Sequence, residues 1–259
     1  MTPSVMRMTA VGRRHYWVLK RSPHRAFDVV FWPVVDTLLF GSIGTAYGHG
    51  RSVLFLLSGV VLWHVVYQAQ IAVSTGFLEE TWSRNLLSLM VAPVSEAEYI
   101  AGTALFGLVK LVLGVGAVAL TALVFYAFDI STLGLGLVPV IALLLLSGWI
   151  VALVVIGIVL RFGTGAEALV WGILFVLMPL SGTFYPVSAL PGLLQPLALA
   201  LPTTHAFTAA RDLVAGGAFP WGELALSAVL TVVAAAAALA YATRMLRVFR
   251  RRGYITRYS

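Results

Sequence analysis

The residues able to do acid–base, metal or phosphate chemistry are few in this sequence, and their spacing argues against catalysis. The histidines His15, His24, His49, His64 and His205 are too scattered to form a local metal motif, and no His-Glu-x-x-His run occurs. There is no cysteine, which excludes disulfides and thiolate metal sites. Neither lysine follows a glycine, because Leu19 precedes Lys20 and Val109 precedes Lys110. A Walker A phosphate loop is therefore absent, and ATP cannot be hydrolysed by a standard P-loop on this chain. No catalytic residue, bound cofactor or metal is expected.

A second group of polar residues lies inside apolar runs, where an ionisable side chain needs a partner or a wet surface. Asp36 and Lys110 fall at comparable depths if their helices run the same way at about 1.5 Å per residue. A structural ion pair between them is the first reading, and contact with a transported substrate is the second. His64, Tyr67 and Gln68 share adjoining helical positions, with His64 and Gln68 on one face at i, i+4. They are candidates for lining a pathway; hydrogen bonding between helices is the competing role, for Gln70 as well.

The elements that must position these residues are set by composition. Of 259 residues 60% are hydrophobic and 10% charged, with a mean hydropathy of +0.96; soluble domains carry roughly a quarter charged residues. Crossing a hydrocarbon layer of about 30 Å takes about 20 apolar residues, and the chain supplies several such runs. The expected fold is an all-α membrane protein with six spans, at residues 26–47, 52–77, 97–128, 133–160, 166–185 and 221–245. The net charge of +7 does not point to nucleic acid, because the cations cluster at the two ends. Arg7, Arg13, Arg14, Lys20, Arg21 and Arg25 precede the first span, and Arg244, Arg247, Arg250, Arg251, Arg252 and Arg257 follow the last. Positive charge is retained on the cytoplasmic side, so both termini are expected there, which six spans satisfy. The location expected is the bacterial inner membrane, with no cleaved signal.

Three further segments stand out. Residues 1–25 read as an amphipathic helix at the cytoplasmic membrane surface, with Val5, Met8, Gly12, Tyr16 and Leu19 opposite Arg7, Arg14 and Arg21; a disordered basic tail is the competing reading. Residues 79–92 form a second amphipathic helix ending at Pro93, with Leu78, Trp82, Leu86 and Met90 on one ridge and Glu80 and Arg84 on another face. It either rests on the membrane interface or docks into a partner. Residues 187–217 form an outer re-entrant hairpin of two short helices. Pro191 suits a first turn, Pro202 separates the arms, Thr203 or Thr204 caps the second arm and Gly216-Gly217 ends it. A pair of helices lying on the surface is the alternative. Ser95 with Glu98, and Thr164 with Glu167, have capping-box spacing before the third and fifth spans. Residues 247–259 are a basic cytoplasmic tail, and 26–246 form the transmembrane domain.

The run Ser181-Gly182-Thr183-Phe184-Tyr185-Pro186, with Leu190-Pro191, Leu201-Pro202-Thr203-Thr204 and Ala209-Ala210-Arg211-Asp212-Leu213, resembles the C-terminal signature of ABC-2 type exporter permeases. Leu78-Glu79-Glu80 through Ala92-Pro93-Val94-Ser95, with Glu98-Tyr99 and Gly102, resembles that family's stretch after the second span. The length is similar to the drug-resistance, lipo-oligosaccharide and polysaccharide-export branches. The resemblance implies that residues 79–92 are a coupling helix, 1–25 a connecting helix, and that two six-span units form the pathway. It assigns transmission to Glu79, Glu80, Trp82 and Arg84, and an outer gate to Phe184, Tyr185 and Pro186. It also implies two copies of a cytoplasmic ATPase subunit, which hold ATP and Mg, a second permease unit that is identical or paralogous, and contact with membrane lipid. The exported substrate would be an amphipathic small molecule, a lipid or a lipid-linked glycan. An ion-coupled secondary transporter or channel is the alternative, disfavoured by the lack of internal repeats, and a membrane enzyme lacks clustered chemistry.

Overall fold

The computed structural model describes residues 3–47, 51–82, 93–128 and 134–252. Among these the fold is entirely helical: α1 Pro3–Lys20, α2 Pro23–Tyr47, α3 Arg51–Trp82, α4 Glu96–Tyr126, α5 Leu137–Phe162, α6 Leu169–Leu180, α7 Gln195–Leu199, α8 Pro202–Val214 and α9 Trp221–Arg252. Five of them, α2, α3, α4, α5 and α9, are long and apolar enough to cross a membrane.

α3 is the axis of the bundle. Buried residues make up 72% of its most apolar window, against 22% for the windows of α2, α4 and α9. It packs on α4, α5 and α2. Leu62 and Val66 of α3 meet Val140 and Leu144 of α5 and Phe207 of α8 in one core cluster, and Val73 and Phe77 meet Val155, Val159 and Met245 in another. By contrast Val109, Val112, Leu120 and Val124 of α4, and Val229, Val232 and Val233 of α9, are exposed. Such a continuous apolar exterior is a lipid-facing surface, where leaving Leu and Val uncovered costs nothing.

The fifth expected span departs most from expectation. In place of a helix over 166–185 there is a 3-10 turn at Thr164–Ala166 and then the 12-residue α6, about 18 Å long at 1.5 Å per residue. Gly163 (φ 78°) ends α5, and Gly182 (φ 59°), just past the Ser181 cap of α6, adopts the positive-φ backbone that stops that helix from growing. α6 is preceded by Ala168 without a side-chain cap; the Thr164 side chain, and with it the expected Thr164–Glu167 capping box, lies outside the described residues. The Ser95–Glu98 box is formed, with both reciprocal hydrogen bonds, and starts α4.

α3 also runs further than expected. Glu79, Glu80 and Trp82 continue the second span's helix without a break, because Leu78 is fully buried and nothing in the run breaks a helix. The rest of the expected coupling helix, including Arg84, lies outside the described residues. At the other end of the chain α9 continues to Arg252, past the expected start of the tail at 247.

The outer segment differs in its caps. Its first arm is a 3-10 turn, Val187–Ala189, and the five-residue α7; Pro191 lies in the turn before α7, which takes Pro196 in its first turn. Pro202 opens α8 rather than merely separating two arms. Thr203 and Thr204 are therefore inside α8. Their hydroxyls pair with Ser181 Oγ at 2.7 Å and donate to the Ala198 carbonyl at 2.6 Å, stitching α8 to the chain before it. Gly216 (φ 74°) follows the end of α8.

Candidate functional site

Two regions of the bundle hold the polar residues that packing alone does not require. The first is where α1 lies against the ends of α3 and α4. α1 buries Val11 and His15 there, while Tyr16 and Trp17 stay exposed. Its arginines find carboxylates of the chain: Arg7 approaches Glu98 at 3.5 Å and Arg14 binds Glu80. Both arginines pair within the chain while their side chains stay 43% and 41% exposed. Glu80 has a side chain 1% exposed, and a buried carboxylate is tolerated only with such a partner, since taking the charge out of water costs several kcal/mol. Beside it His15 Nδ1 stands 3.6 Å from Glu79 Oε2 and Nε2 lies 3.3 Å from Thr103 Oγ1, with the ring stacked on Phe106. The Tyr99 hydroxyl donates to the Gly76 carbonyl at 3.2 Å. Glu98 titrates below the usual glutamate range, chiefly because the Ser95 backbone N–H donates to its carboxylate, with the Ser4 hydroxyl adding a further bond.

Trp82 extends this network to α6. Its indole N–H donates to Glu167 Oε2 at 2.9 Å. The end of α3 is thereby tied to the start of α6. A bond from a neutral donor to a charged acceptor contributes roughly 1.5–3 kcal/mol when buried and less here, since Trp82 is half exposed. Trp82→Phe keeps the ring and deletes the donor. It is expected to leave the protein folded and to lower its melting temperature in detergent measurably; an unchanged melting temperature would mean that this bond does not hold α3 to α6.

The second region is a cavity of about 550 Å³ between α2, α3 and α6. α2 contributes Trp32, Asp36 and Phe40, α3 contributes Trp63, His64 and Tyr67, and α6 contributes Trp171 and Phe175. Phe184 closes one end, stacked on Phe40 with ring centroids 4.2 Å apart. Asp36 Oδ2 is 3.3 Å from His64 Nε2. The contact is off-line for a hydrogen bond, and neither imidazole nitrogen has a hydrogen-bond partner among the described residues. The ring of Tyr67 meets His64 edge-on at 5.7 Å. The depth arithmetic had matched Asp36 with Lys110; the tertiary structure sets Asp36 against His64, and the Lys110 ammonium lies over the Phe106 ring at 5.5 Å.

Gln68 does not line the cavity. Its amide donates to the Val29 carbonyl at 3.1 Å, the acceptor that Pro33, four residues on and lacking an N–H, leaves without its helical bond. Gln68 thus repairs α2, and Gln70 ties α3 to α6 through the Val170 carbonyl at 3.0 Å. Tyr185 and Pro186 are also outside the cavity lining. The Tyr185 hydroxyl donates to the Pro179 carbonyl at 2.9 Å, and Pro186 precedes the Val187–Ala189 turn.

The family model for the ABC-2 type transporter matches residues 7–214, which is 208 of the 259 residues. The chain belongs to the ABC-2 type transporter family. No curated protein matches it. It is thus a multi-pass permease subunit of an ABC transporter, from a family that generally works with an ATPase subunit.

One residue of the permease that sequence reasoning left without a role is Arg211. Its guanidinium binds the Gly182 carbonyl, reaches the Tyr185 carbonyl at 3.4 Å and donates to Thr208 Oγ1 at 2.7 Å. It holds the 181–186 turn, and so the loop that places Phe184, against α8. Arg211 is the single lysine or arginine between Arg161 and Arg244, and that isolation was the available signal. Similarly His205 is held by Glu223 Oε2 at 2.8 Å and the Leu199 carbonyl at 2.9 Å, which joins α8 to α9 and α7.

Proposed function

We propose that this permease is the membrane half of an ATP-driven exporter moving an amphipathic small molecule, a lipid or a lipid-linked glycan out of the cytoplasm or inner leaflet. Two copies of a separate cytoplasmic ATPase bind ATP and Mg, and a second permease unit, identical or paralogous, completes the pathway. The protein sits in the bacterial inner membrane with both termini cytoplasmic. Six crossings are required for that, because five alone would separate the two basic ends by a membrane. α6 with its flanking turns supplies the sixth, and the outer segment 187–217 lies at the exit.

One observation carries the reading: the helices that line the cavity are those joined to the coupling end. α3 runs from His64 and Tyr67 to Glu80 and Trp82 without interruption, and Trp82 bonds Glu167 just ahead of α6. ATP binding draws the two ATPases together and moves the coupling helices. That displacement is passed along α3 and through Glu167 to α6, and it parts the α2, α3 and α6 surfaces of the two units. Glu79, Glu80, Trp82 and Arg84 carry transmission, and Phe184, with Tyr185 and Pro186 behind it, forms the outer gate.

The test is purification of the tagged permease in mild detergent, mass spectrometry of what accompanies it and an ATPase assay. A stoichiometric P-loop ATPase whose turnover responds to changes at Glu80 is the expected result. Purification of the chain alone, with ion-driven flux in liposomes, would overturn the ATP-driven reading.

A further inference from the structure

We propose that the α2–α3–α6 cavity recognises an organic cation, so that the transported molecule is an amphipath bearing a positively charged group rather than a phosphate or a sugar. The inference narrows the substrate of the reading above and rests on it for transport, although not for binding.

The argument is one of inventory. Asp36 is the acid among the described lining residues, and no lysine or arginine is among them. An anionic headgroup entering it would meet the Asp36 carboxylate with no lysine or arginine among the described lining residues to offset it, and like charges repel at close range. A glycan needs several hydrogen-bonding groups, whereas the walls offer few beyond Asp36, His64 and Tyr67. What they do offer is aromatic surface. Trp32, Trp63, Tyr67 and Trp171 come from three different helices, and the negative faces of such rings attract a cation within about 6 Å of their centroids. A carboxylate set among aromatic rings is complementary to a large, weakly hydrated cation.

His64 provides an independent observation. It is 1% exposed and lines the cavity, yet both its nitrogens lack a hydrogen-bond partner among the described residues. Buried polar atoms are normally satisfied, so an unsatisfied imidazole beside Asp36 marks a place where a ligand completes the contacts. Asp36 itself is 39% exposed at its side chain; it faces the cavity without being sealed by protein. Trp32 and Phe175 are exposed as well, so the cavity opens at the side where they stand, and an amphipath can enter from there with its apolar part trailing.

The probe is tetraphenylphosphonium, with tetraphenylborate as the opposite charge on nearly the same shape. Binding to purified permease in detergent, without ATPase, is followed by quenching of tryptophan fluorescence, which reports on Trp32, Trp63 and Trp171. Wild type is expected to bind the phosphonium. Asp36→Asn should weaken it by about tenfold or more, the loss of roughly one close charge contact, and should not weaken the borate. Asp36→Glu should restore most of the affinity. If Asp36→Asn does not fold, Trp171→Leu serves instead, with a severalfold loss expected for the phosphonium and an unchanged melting temperature. Phosphonium affinity indifferent to both Asp36 and Trp171, or borate bound as tightly and lost in parallel, would overturn the proposal. Cation binding without ATP-linked export would instead uphold this site and sink the transport reading.

Discussion

Glu80→Ala is expected to abolish most transport-linked ATP turnover while leaving a folded, purifiable permease, and Arg14→Ala is expected to do worse. The asymmetry follows from burial. Arg14 is 41% exposed and Glu80 1%, so an arginine deprived of Glu80 can rehydrate, whereas a carboxylate deprived of Arg14 stays in the interior with one strong partner fewer. Removing one member of a buried pair costs about 3–5 kcal/mol; the partial exposure of Arg14 places its removal near the lower end of that range. The stability loss in Glu80→Ala should be about 1 kcal/mol or less, close to that of an exposed pair. Thermal unfolding in detergent separates the two effects, and ATP turnover with the partner ATPase measures the coupling. If Glu80→Ala keeps wild-type coupled turnover, the α1–α3 contact is a structural clamp and not part of the transmission route.

A second large loss of stability is expected at a residue without chemistry. A side chain at Gly148 of α5 would place its Cβ 2.7 Å from the Val66 carbonyl oxygen, 2.7 Å from Ala69 Cβ and 3.2 Å from the Gln70 nitrogen, all on α3. Two of these atoms are backbone, so the obstruction cannot be relieved by a rotamer change. Small residues at a membrane helix crossing let backbones approach closely enough for packing to hold the pair, and overfilling such a contact costs about 1–3 kcal/mol and occasionally more. Gly148→Ala should lower the melting temperature measurably, and Gly148→Val should prevent recovery of monodisperse protein. Gly116, whose Cβ would meet nothing within 4 Å, is the control position: Gly116→Ala should be neutral. A Gly148→Val protein as stable as wild type would mean that α3 and α5 do not pack at this distance.

Gly148 shows what a linear reading misses. Nothing in its neighbours marks it as a contact, since its importance comes from Val66 and Ala69, which lie some eighty residues earlier. The same holds for Arg14 with Glu80 and for Trp82 with Glu167. Each partner was legible as polar and well placed on its own helix, but the register between helices distant in sequence decides who meets whom. The match of Asp36 with Lys110 went astray for this reason: depth along an axis was available, rotation about it was not. Gln68 was legible as an intramembrane amide, and its purpose, to satisfy the carbonyl that Pro33 strands, emerges only once α2 and α3 are side by side.

What the amino-acid sequence determined by itself is the part governed by local physics. Apolar runs long enough to span a bilayer, the absence of nucleotide-binding and metal motifs, the basic ends and the Ser95–Glu98 cap all depend on residues close together in the chain. The motifs around residues 78–102 and 181–213 likewise pointed to the ABC-2 family before any contact was known. The tertiary structure decided the rest: the shortening of α6 between Gly163 and Gly182, the continuation of α3 through Trp82, and the aromatic cavity with Asp36 opposite His64. These features depend on close packing and on pairing of buried charge, which are properties of neighbours in space, and a membrane bundle brings together residues that the sequence keeps far apart.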